Sequence, residues 1–355
     1  MTVRICICGG GAIAHTAAAV LGARPDMTVA VLTRSPDVWA RRIVVHHGER
    51  YRLVGNVAVI DERPEHCVPD ADLVMLAVPA FARGEVLARI APHVRPEAWV
   101  GSLSGTGGFD WQAQAALGRE TRVFAFQRAP WVARVVERGH LVAVTGVRSP
   151  LMLAGHPAAG VPALAARLAA VLGNEIAASD DYLVVTLGFD NPTLHPPRLR
   201  SLFGGASQPR AGERFYRDWD DEASEHLLAL DGDLARVRAS LGVTGAPTAR
   251  EHFGIRTAPE LTARIRSIRA LADIAAPIDV SGALDRSARY PREDLSWGLE
   301  VQREVARLAG VEVPTMDAMI AWGRARFGLT DDAAVPLPQR HGITTREALL
   351  RRARE

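Results

Sequence analysis

The sequence contains no lysine, and all 42 basic residues in the 355-residue chain are arginines. This absence excludes a lysine Schiff base, a lysine general base and a lysine phosphate ligand. Arginine keeps its positive charge at any physiological pH, so it can bind carboxylates and phosphates but cannot serve as a base. Any proton transfer must therefore use other side chains.

Cysteine is also scarce, with only Cys6, Cys8 and Cys67. Cys6 and Cys8 lie two apart in an apolar strand pattern without a further ligand cluster, so we predict neither a metal site nor a redox pair. Reduced thiols and the lack of a signal-peptide pattern favour a cytoplasmic protein. No apolar run is long enough to span a membrane. The formal net charge of +2 indicates neither a nucleic-acid nor a membrane partner.

The order of apolar segments predicts two domains of different class. In the first half, near-continuous apolar runs alternate with helical stretches, which is typical of a parallel sheet covered on both faces. The candidate strands are residues 3–8, 27–33, 72–78, 99–103, 122–126 and 141–147, and residues 81–90 are a candidate helix. After residue 197 the strand pattern nearly disappears. Helical spacing continues through residues 222–241, 259–275, 299–308 and the tail from residue 343. We therefore predict an α/β Rossmann domain with a doubly wound parallel sheet (residues 1–187) and an all-helical C-terminal domain (residues 188–355).

A glycine-rich turn follows the first candidate strand and opens a helix. It fits the pattern G-x-G-x-x-A, which here comprises Gly9, Gly11, Ala12, Ile13 and Ala14. Gly9 permits a tight turn, Gly11 lets a pyrophosphate approach the helix N-terminus, and Ala14 allows close helix–strand packing. An ordinary strand–turn–helix corner would also contain glycines. The position directly after a strand favours a dinucleotide site.

The end of the second candidate strand bears on which dinucleotide binds. NAD sites place an acid there, whereas NADP sites use an arginine for the 2′-phosphate. Here the residues are Thr33, Arg34 and Ser35, and the first acid is Asp37. A solvated surface arginine is the plainer alternative. We predict NADP(H), with NAD possible, and we expect residues 41–42 in a helix that follows.

His195 has unusual sequence neighbours, close to the point where the strand pattern gives way to helical spacing. His195 follows Asn191 by four residues and precedes Pro196 and Pro197. Because proline lacks an amide proton and clashes inside a helix, this stretch is predicted to lie outside a helix, at a domain junction. Histidine titrates near neutral pH and suits the proton transfer that accompanies hydride transfer to a carbonyl or imine. A structural histidine is the plainer alternative.

A catalytic base is usually oriented by a third group. The stretch ARYPREDLSWGL, residues 288–299, offers Arg289, Glu293 and Asp294 between two helical regions. The alternative is a solvated loop in which Glu293 and Asp294 cap the next helix. Spacing alone does not decide between them.

Three segments, NPTLHPP, FYRDWDDEASEHLLALDGDLARVRASLG and RYPREDLSWGL, resemble the octopine/nopaline (opine) dehydrogenase family, and the resemblance covers nearly the whole chain. It implies a Rossmann domain joined to an all-helical domain, and an NAD(P)H-dependent reductive condensation of an α-keto acid with the amino group of an amino acid. It also implies that His195 is the catalytic acid/base, that Asp294 orients it and that Arg289 belongs to the same constellation. Asn191 matches a residue near the histidine and is expected at the substrate.

The second strand departs from several family members, which use NAD and carry an acid there. The Arg34 region resembles instead the NADPH-using branch that makes opine metallophores. That branch is longer than this chain, so its substrate does not carry over.

Other site residues are assigned from their places at strand ends. Val78 and Pro79 are expected at the cofactor. Ser104 and Thr106, in SGTGG, are expected to shape the nicotinamide and substrate pocket, and Arg128 to bind a substrate carboxylate. A homodimer through the helical domain is also expected.

Two other functions stay open. A 2-hydroxyacid or ketopantoate-type reductase shares the two-domain plan, but such enzymes commonly rely on a catalytic lysine. A non-catalytic NADP sensor would not need a rigidly framed histidine with arginine and aspartate partners.

Overall fold

The computed structural model describes residues 2–48, 51–205, 209–210, 212–285 and 287–355. The chain forms two compact units. The first ends at Val185 but also includes Arg352–Glu355, and the second is Thr186–Arg351. This boundary lies two residues before the predicted one. The C-terminal residues return to the first unit, where the Tyr182 amide donates a hydrogen bond to the Ala353 carbonyl.

Twelve strands lie among the described residues of the first unit. They are β1 (Val3–Cys8), β2 (Met27–Leu32), β3 (Arg42–His47), β4 (Tyr51–Asn56), β5 (Val59–Asp61), β6 (Leu73–Leu76), β7 (Trp99–Ser102), β8 (Arg122–Phe126), β9 (Trp131–Glu137), β10 (Leu141–Val147), β11 (Leu151–His156) and β12 (Ile176–Ser179). Eight form one sheet in the order β12-β11-β8-β7-β6-β1-β2-β5, and the six from β8 to β5 are parallel. The predicted parallel α/β sheet is confirmed. Its strand order reverses beside β1, which is where such sheets bind nucleotides.

A second sheet, in the order β4-β3-β10-β9, was not expected beyond the strand at residues 141–147. The expectation that residues 41–42 lie in a helix was wrong, because Arg42 begins β3. The β-branched run Ile43, Val44 and Val45 favours a strand. This strand pairs with both β4 and β10.

The helices of the first unit cover both sheets. They are α1 (Ala12–Gly22), α2 (Pro64–Cys67), α3 (Arg83–Ile90), α4 (Phe109–Leu117), α5 (Val161–Leu172) and, ending at the boundary, α6 (Leu183–Thr186), with 3-10 turns at Pro36–Val38, Ala80–Ala82, Ala91–His93 and Ala158–Gly160. Helix α1 packs against strands of both sheets. A Cβ added at Gly55 in β4 would lie 2.3 Å from the Ala19 carbonyl oxygen. The small residues Gly55 in β4 and Ala19 in α1 therefore permit the helix to pack closely against the second sheet.

The described residues of the second unit contain helices and isolated β-bridges only, which confirms the predicted helical domain. The helices are α7 (Asn191–Phe203), α8 (Asp221–Leu241), α9 (Ala249–Phe253), α10 (Ala258–Arg266), a π-helical segment (Pro291–Leu299) that continues as α11 (Glu300–Ala309), α12 (Pro314–Phe327) and α13 (Arg346–Ala353), with 3-10 turns at Arg269–Leu271 and Pro338–His341. The helix expected over residues 259–275 is shorter, since α10 ends at Arg266 and Ala275 forms a bridge with Arg214 instead.

The expectation that the His195 stretch lies outside a helix was wrong, since α7 contains His195, Pro196 and Pro197. Pro192 stands in the first turn, where no amide donor is needed. The two later prolines each remove one helical hydrogen bond. Helix α7 packs closely against α8 and the π-helical segment, and such tertiary packing supplies most of a helix's stability.

The π-helical segment explains the glycine in RYPREDLSWGL. A Cβ added at Gly298 would lie 2.5 Å from Cγ of Pro192. The segment can therefore approach α7 only if residue 298 has no side chain. Single π-helical stretches of this kind frequently occur at functional sites.

Candidate active site

The glycine-rich turn connects β1 to α1 and is shaped for an anion. Gly9 has φ +152°, and a Cβ there would lie 2.5 Å from the Ala77 carbonyl oxygen. Around a Cβ added at Gly11, no atom of the described residues lies within 4 Å. Gly11 caps α1 without a side-chain hydrogen bond, and the first turn carries no acid. Free amides, the positive end of the helix and open space fit the pyrophosphate of a dinucleotide.

A buried histidine, His15, forms hydrogen bonds that hold this turn in place. Nδ1 of His15 donates to the Gly11 carbonyl at 2.9 Å, and its Nε2 accepts from the Gly139 amide at 2.8 Å. The ring stacks on Trp39 at 4.0 Å between centroids, and burial lowers the pKa of His15. Because the Gly139 amide can only donate, the ring is neutral with its proton on Nδ1. His15 thereby ties the β9–β10 hairpin to the glycine turn.

The end of β2 carries the predicted residues Thr33, Arg34 and Ser35. Thr33 is buried, and its amide donates to the Asp61 carbonyl at 3.0 Å. Arg34 is exposed and forms no salt bridge with a carboxylate among the described residues. The Ser35 hydroxyl lies 3.3 Å from the guanidinium of Arg138, on the β9–β10 hairpin. Sequence reasoning missed Arg138, because it is distant in the chain and its hairpin was not predicted.

The neighbouring strand also ends in an acid, Asp61, whose carboxylate already has hydrogen-bond partners. Asp61 ends β5, beside β2. Its carboxylate accepts from Arg63 at 3.2 Å and from His66 at 2.7 Å. These hydrogen bonds, those from Arg63 first, hold the pKa of Asp61 well below its usual range. The Asp61 carboxylate is therefore already hydrogen-bonded to residues of the segment that follows β5.

Two loops at the carboxyl ends of β6 and β7 are joined by a buried arginine. Val78 and Pro79 follow β6 and are half-buried. Arg83, which is 2% exposed, donates to the Ser104 carbonyl and to the Thr106 carbonyl, the latter at 2.6 Å. Sequence reasoning did not single out Arg83. Its role is to hold in place the loop that carries the predicted pocket residues.

Arg128 lies at the same edge of the sheet, just after β8. It is half-buried, and its Nε donates to the side-chain oxygen of Gln127 at 3.1 Å. The carboxyl ends of parallel strands are where such sheets bind ligands. Within the first unit, the structure thus places the predicted cofactor and substrate residues at one edge.

In the second unit, His195 is bonded through both ring nitrogens. Nδ1 lies 2.7 Å from Oδ2 of Asp294, and Nε2 lies 2.8 Å from Oη of Tyr216. His195 and Asp294 are each 2% exposed. A carboxylate accepts from Nδ1–H, so Nε2 accepts the Tyr216 hydroxyl proton when the ring is neutral. Asp294 thereby determines the tautomer of His195.

The charges around Asp294 are His195 on α7, Glu293 in the π-helical segment and Arg289 just before that segment. Burial raises the pKa of Asp294, although His195 and Arg289 oppose that rise. Arg289 forms an ion pair with Glu293. Burial lowers the pKa of Arg289, but Glu293 and Asp294 outweigh it, so the pKa lies above its ordinary value. The alternative in which Asp294 lies in a solvated loop and caps the next helix does not describe this buried carboxylate.

Asn191 is the first residue of α7, one helical turn before His195. It is half-buried, and within the described part of the chain its side chain forms no hydrogen bond with the His195 ring. Its expected place at the substrate stays a prediction.

Tyr216 was not singled out from the sequence, although it lies in the quoted segment FYRDWDD. Arg198, one turn after His195 on α7, donates to the Phe215 carbonyl at 3.1 Å and to the Asp218 carbonyl at 2.7 Å. These bonds flank Tyr216 and hold its segment against α7. The available signal was an aromatic run beside acids, which does not by itself indicate which ring faces the histidine.

The described residues also bear on metal binding, disulfide formation and membrane insertion. No three His, Cys, Asp or Glu side chains there are grouped to hold a metal ion. Cys6, Cys8 and Cys67 are buried and free. None of the described helices is long and apolar enough to cross a membrane.

Comparison with known proteins matches a different family model to each part of the chain. Residues 178–326 match the family model for the alpha-helical domain of NAD/NADP octopine/nopaline dehydrogenase, and residues 5–146 match that for ketopantoate reductase PanE/ApbA. The chain is 28% identical to octopine dehydrogenase of Pecten maximus, with 99% of each covered. It is 24% identical to tauropine dehydrogenase of Arabella iricolor, with 97% of this chain and 99% of the relative covered. A structure of octopine dehydrogenase with NADH and L-arginine has a TM-score of 0.83 at 25% identity, with 98% of both chains covered.

The α/β unit with its glycine turn and the helical unit with its buried histidine define a nicotinamide-dependent oxidoreductase with a helical second domain. Within that class, the helical unit matches the octopine/nopaline dehydrogenase family model, and the chain is similar over nearly its full length to octopine dehydrogenases. The resemblance stated from the sequence is confirmed.

Proposed function

We propose that this protein is an NAD(P)H-dependent opine dehydrogenase, which condenses an α-keto acid with the amino group of an amino acid and reduces the resulting imine. The relatives carry the names octopine and tauropine dehydrogenase, and octopine dehydrogenase has been solved with NADH and L-arginine and with NADH and pyruvate. The observation that carries the proposal is the buried His195–Asp294 pair.

His195 is the general acid/base in this proposal. The condensation must move protons from the amine nitrogen to the carbonyl oxygen, which leaves as water. Asp294 holds the Nδ1 proton, so Nε2 is the nitrogen that exchanges protons. Arg289 balances the negative charge of Glu293 and Asp294. The bound nicotinamide supplies the hydride that reduces the imine carbon.

Substrate binding is assigned to Arg128, Ser104 and Thr106, with Asn191 as a further ligand. A guanidinium can hold a keto-acid carboxylate through two parallel hydrogen bonds. Holding both substrates in fixed positions makes the condensation effectively intramolecular.

For the cofactor, we propose NADPH in preference to NADH. Gly9, Gly11 and Ala14, with Ala12 and Ile13 between them, receive the pyrophosphate, and Val78 and Pro79 line the nicotinamide side. Thr33, Arg34 and Ser35 take the adenosine end. Support comes from the exposed guanidinium of Arg34 beside the Ser35 hydroxyl, and from the commitment of Asp61 to other partners. A ribose 2′-phosphate would gain a cation and a hydroxyl donor there.

A screen of NADPH oxidation with pairs of keto acids and amino acids, with products identified by mass, tests the function. We expect turnover only when both substrates are present, and a product mass equal to both substrates minus water plus two hydrogens. Full turnover with the keto acid alone, giving a hydroxy acid, would assign the protein to the reductase alternative. Tight NADPH binding with no turnover in any pair would favour the sensor.

We also propose a homodimer through the helical unit and a cytoplasmic location. Sedimentation of the purified protein over a concentration series tests the dimer, and a monomer at every concentration would contradict it.

A further inference from the structure

We propose that Tyr216 is a catalytic residue that carries protons between His195 and the substrates. The proposal rests on the proposed function, because it assigns a step within the same reaction. Asp294, His195 and Tyr216 form one buried chain, joined by contacts of 2.7 Å and 2.8 Å. Tyr216 is the most exposed of the three, at 5% against 2% for the other two.

The direction of these hydrogen bonds follows from the chemistry of the groups. Asp294 accepts from Nδ1, which leaves Nε2 of His195 as an acceptor for the Tyr216 hydroxyl. The only nitrogen of His195 that can exchange a proton is thus already occupied. A proton that reaches or leaves Nε2 passes through Oη of Tyr216, so the substrate meets the tyrosine rather than the imidazole.

The position of the Tyr216 hydroxyl is built into the fold. Arg198, 1% exposed, lies on the same helix as His195 and binds the carbonyls of Phe215 and Asp218, on either side of Tyr216. The Tyr216 ring stacks on Trp219, with an interplanar angle of 8° and centroids 6.3 Å apart. Helix α7 therefore positions both residues: it carries His195 directly, and through Arg198 it holds Tyr216 in place.

The proton balance of the condensation suits such a relay. An ammonium substrate has three protons on nitrogen, and the iminium ion keeps one. When the substrate nitrogen loses a proton, that proton passes to Oη of Tyr216, and at the same time the Tyr216 hydroxyl proton moves to Nε2 of His195. As the C–N bond forms and the carbonyl π bond opens, the reverse pair of moves protonates the oxygen. A second round removes that oxygen as water, and hydride addition then gives the neutral secondary amine.

The first test is Tyr216→Phe, which removes the hydroxyl and keeps the ring. We expect kcat to fall roughly 10²-fold or more, the usual effect of losing an acid–base group, with KM and the NADPH dissociation constant little changed. Tyr182→Phe is the matched control. Tyr182 is also buried and stacks on a histidine, His156, but within the described residues its hydroxyl has no hydrogen-bond partner. Its kcat should match that of the unmodified enzyme.

A double-mutant comparison separates relay from structure. If the two residues act as a unit, adding Tyr216→Phe to His195→Ala causes no further loss of kcat. Independent structural effects would instead multiply. Should Tyr216→Phe fail to fold, fluorotyrosine at position 216 changes the hydroxyl acidity with little change in size, and the pH profile of kcat should then shift.

The outcomes distinguish this proposal from the function on which it rests. No oxidation of NADPH by the unmodified enzyme with any substrate pair would overturn the function itself. Normal kcat in Tyr216→Phe, an unchanged pH profile with fluorotyrosine, or multiplicative losses in the double variant would overturn only the role of Tyr216.

Discussion

His195 illustrates how neighbouring residues decide what a single side chain can do. In the sequence His195 precedes two prolines, but these do not determine which ring nitrogen carries the proton. Asp294, 99 residues later, holds Nδ1 at 2.7 Å. Burial of both groups makes this contact stronger than it would be in water.

At the residue scale, His195→Ala should lower kcat by roughly 10²–10⁴, because a general acid–base group is lost. Asp294→Asn should lower it less, because the imidazole remains and only its orientation is weakened. Steady-state kinetics of NADPH oxidation measures both. Full activity in His195→Ala would contradict the assignment of the acid/base.

The proposed cofactor preference is also a question of single residues. Arg34→Asp should reduce or reverse the preference for NADPH over NADH. A charge-assisted contact contributes about 1.5–3 kcal/mol, so the unmodified enzyme should prefer NADPH at least about tenfold. Fluorescence titration gives both dissociation constants. Arg134→Asp, an equal change of charge at another exposed arginine, should leave their ratio unaltered, and equal constants in the unmodified protein would refute the preference.

At the scale of elements, the site depends on how closely the π-helical segment approaches α7. Gly298→Ala should destabilise the helical unit by about 1–3 kcal/mol, because its Cβ would meet the rigid ring of Pro192 at 2.5 Å. Denaturation followed by the helical circular dichroism signal measures the change.

Gly232→Ala in α8 is the matched control for this substitution. Its added Cβ would meet no atom of the described residues within 4 Å, and alanine is the better helix former, so the substitution should stabilise the helix by about 0.5–1 kcal/mol. Equal stability of Gly298→Ala and the unmodified protein would show that the close approach is not needed.

Elements differ in how far local sequence predicts them. The strands Val3–Cys8 and Arg122–Phe126 agree with the predicted bounds, because apolar β-branched and aromatic runs have few alternatives. Helix α7 was missed because local rules penalise Pro196 and Pro197, whereas packing against distant elements outweighs that cost. The strand β3 was missed because it is completed by partners far along the chain.

At the scale of the whole molecule, the proposed cofactor site and the proposed acid/base, His195, belong to different compact units. Gly9→Ala should therefore weaken NADPH binding about tenfold or more, because its Cβ would lie 2.5 Å from the Ala77 carbonyl and 1.4 kcal/mol corresponds to tenfold. His195→Ala should leave the NADPH dissociation constant nearly unchanged. Calorimetric titration of both variants measures this, and loss of NADPH binding in His195→Ala would show that the two functions are not separate.

The sequence by itself determined the two fold classes, the glycine turn and the motifs that carry the family resemblance. These features follow from short-range rules: strand runs, helical spacing and the backbone freedom of Gly9 and Gly11. Only the tertiary structure decided that Tyr216 occupies Nε2 of His195, that Arg198 holds that tyrosine in place, and that Arg138 lies beside Ser35. Each of these contacts joins residues from separate elements. Their distances depend on how helices and sheets pack, which no local pattern encodes.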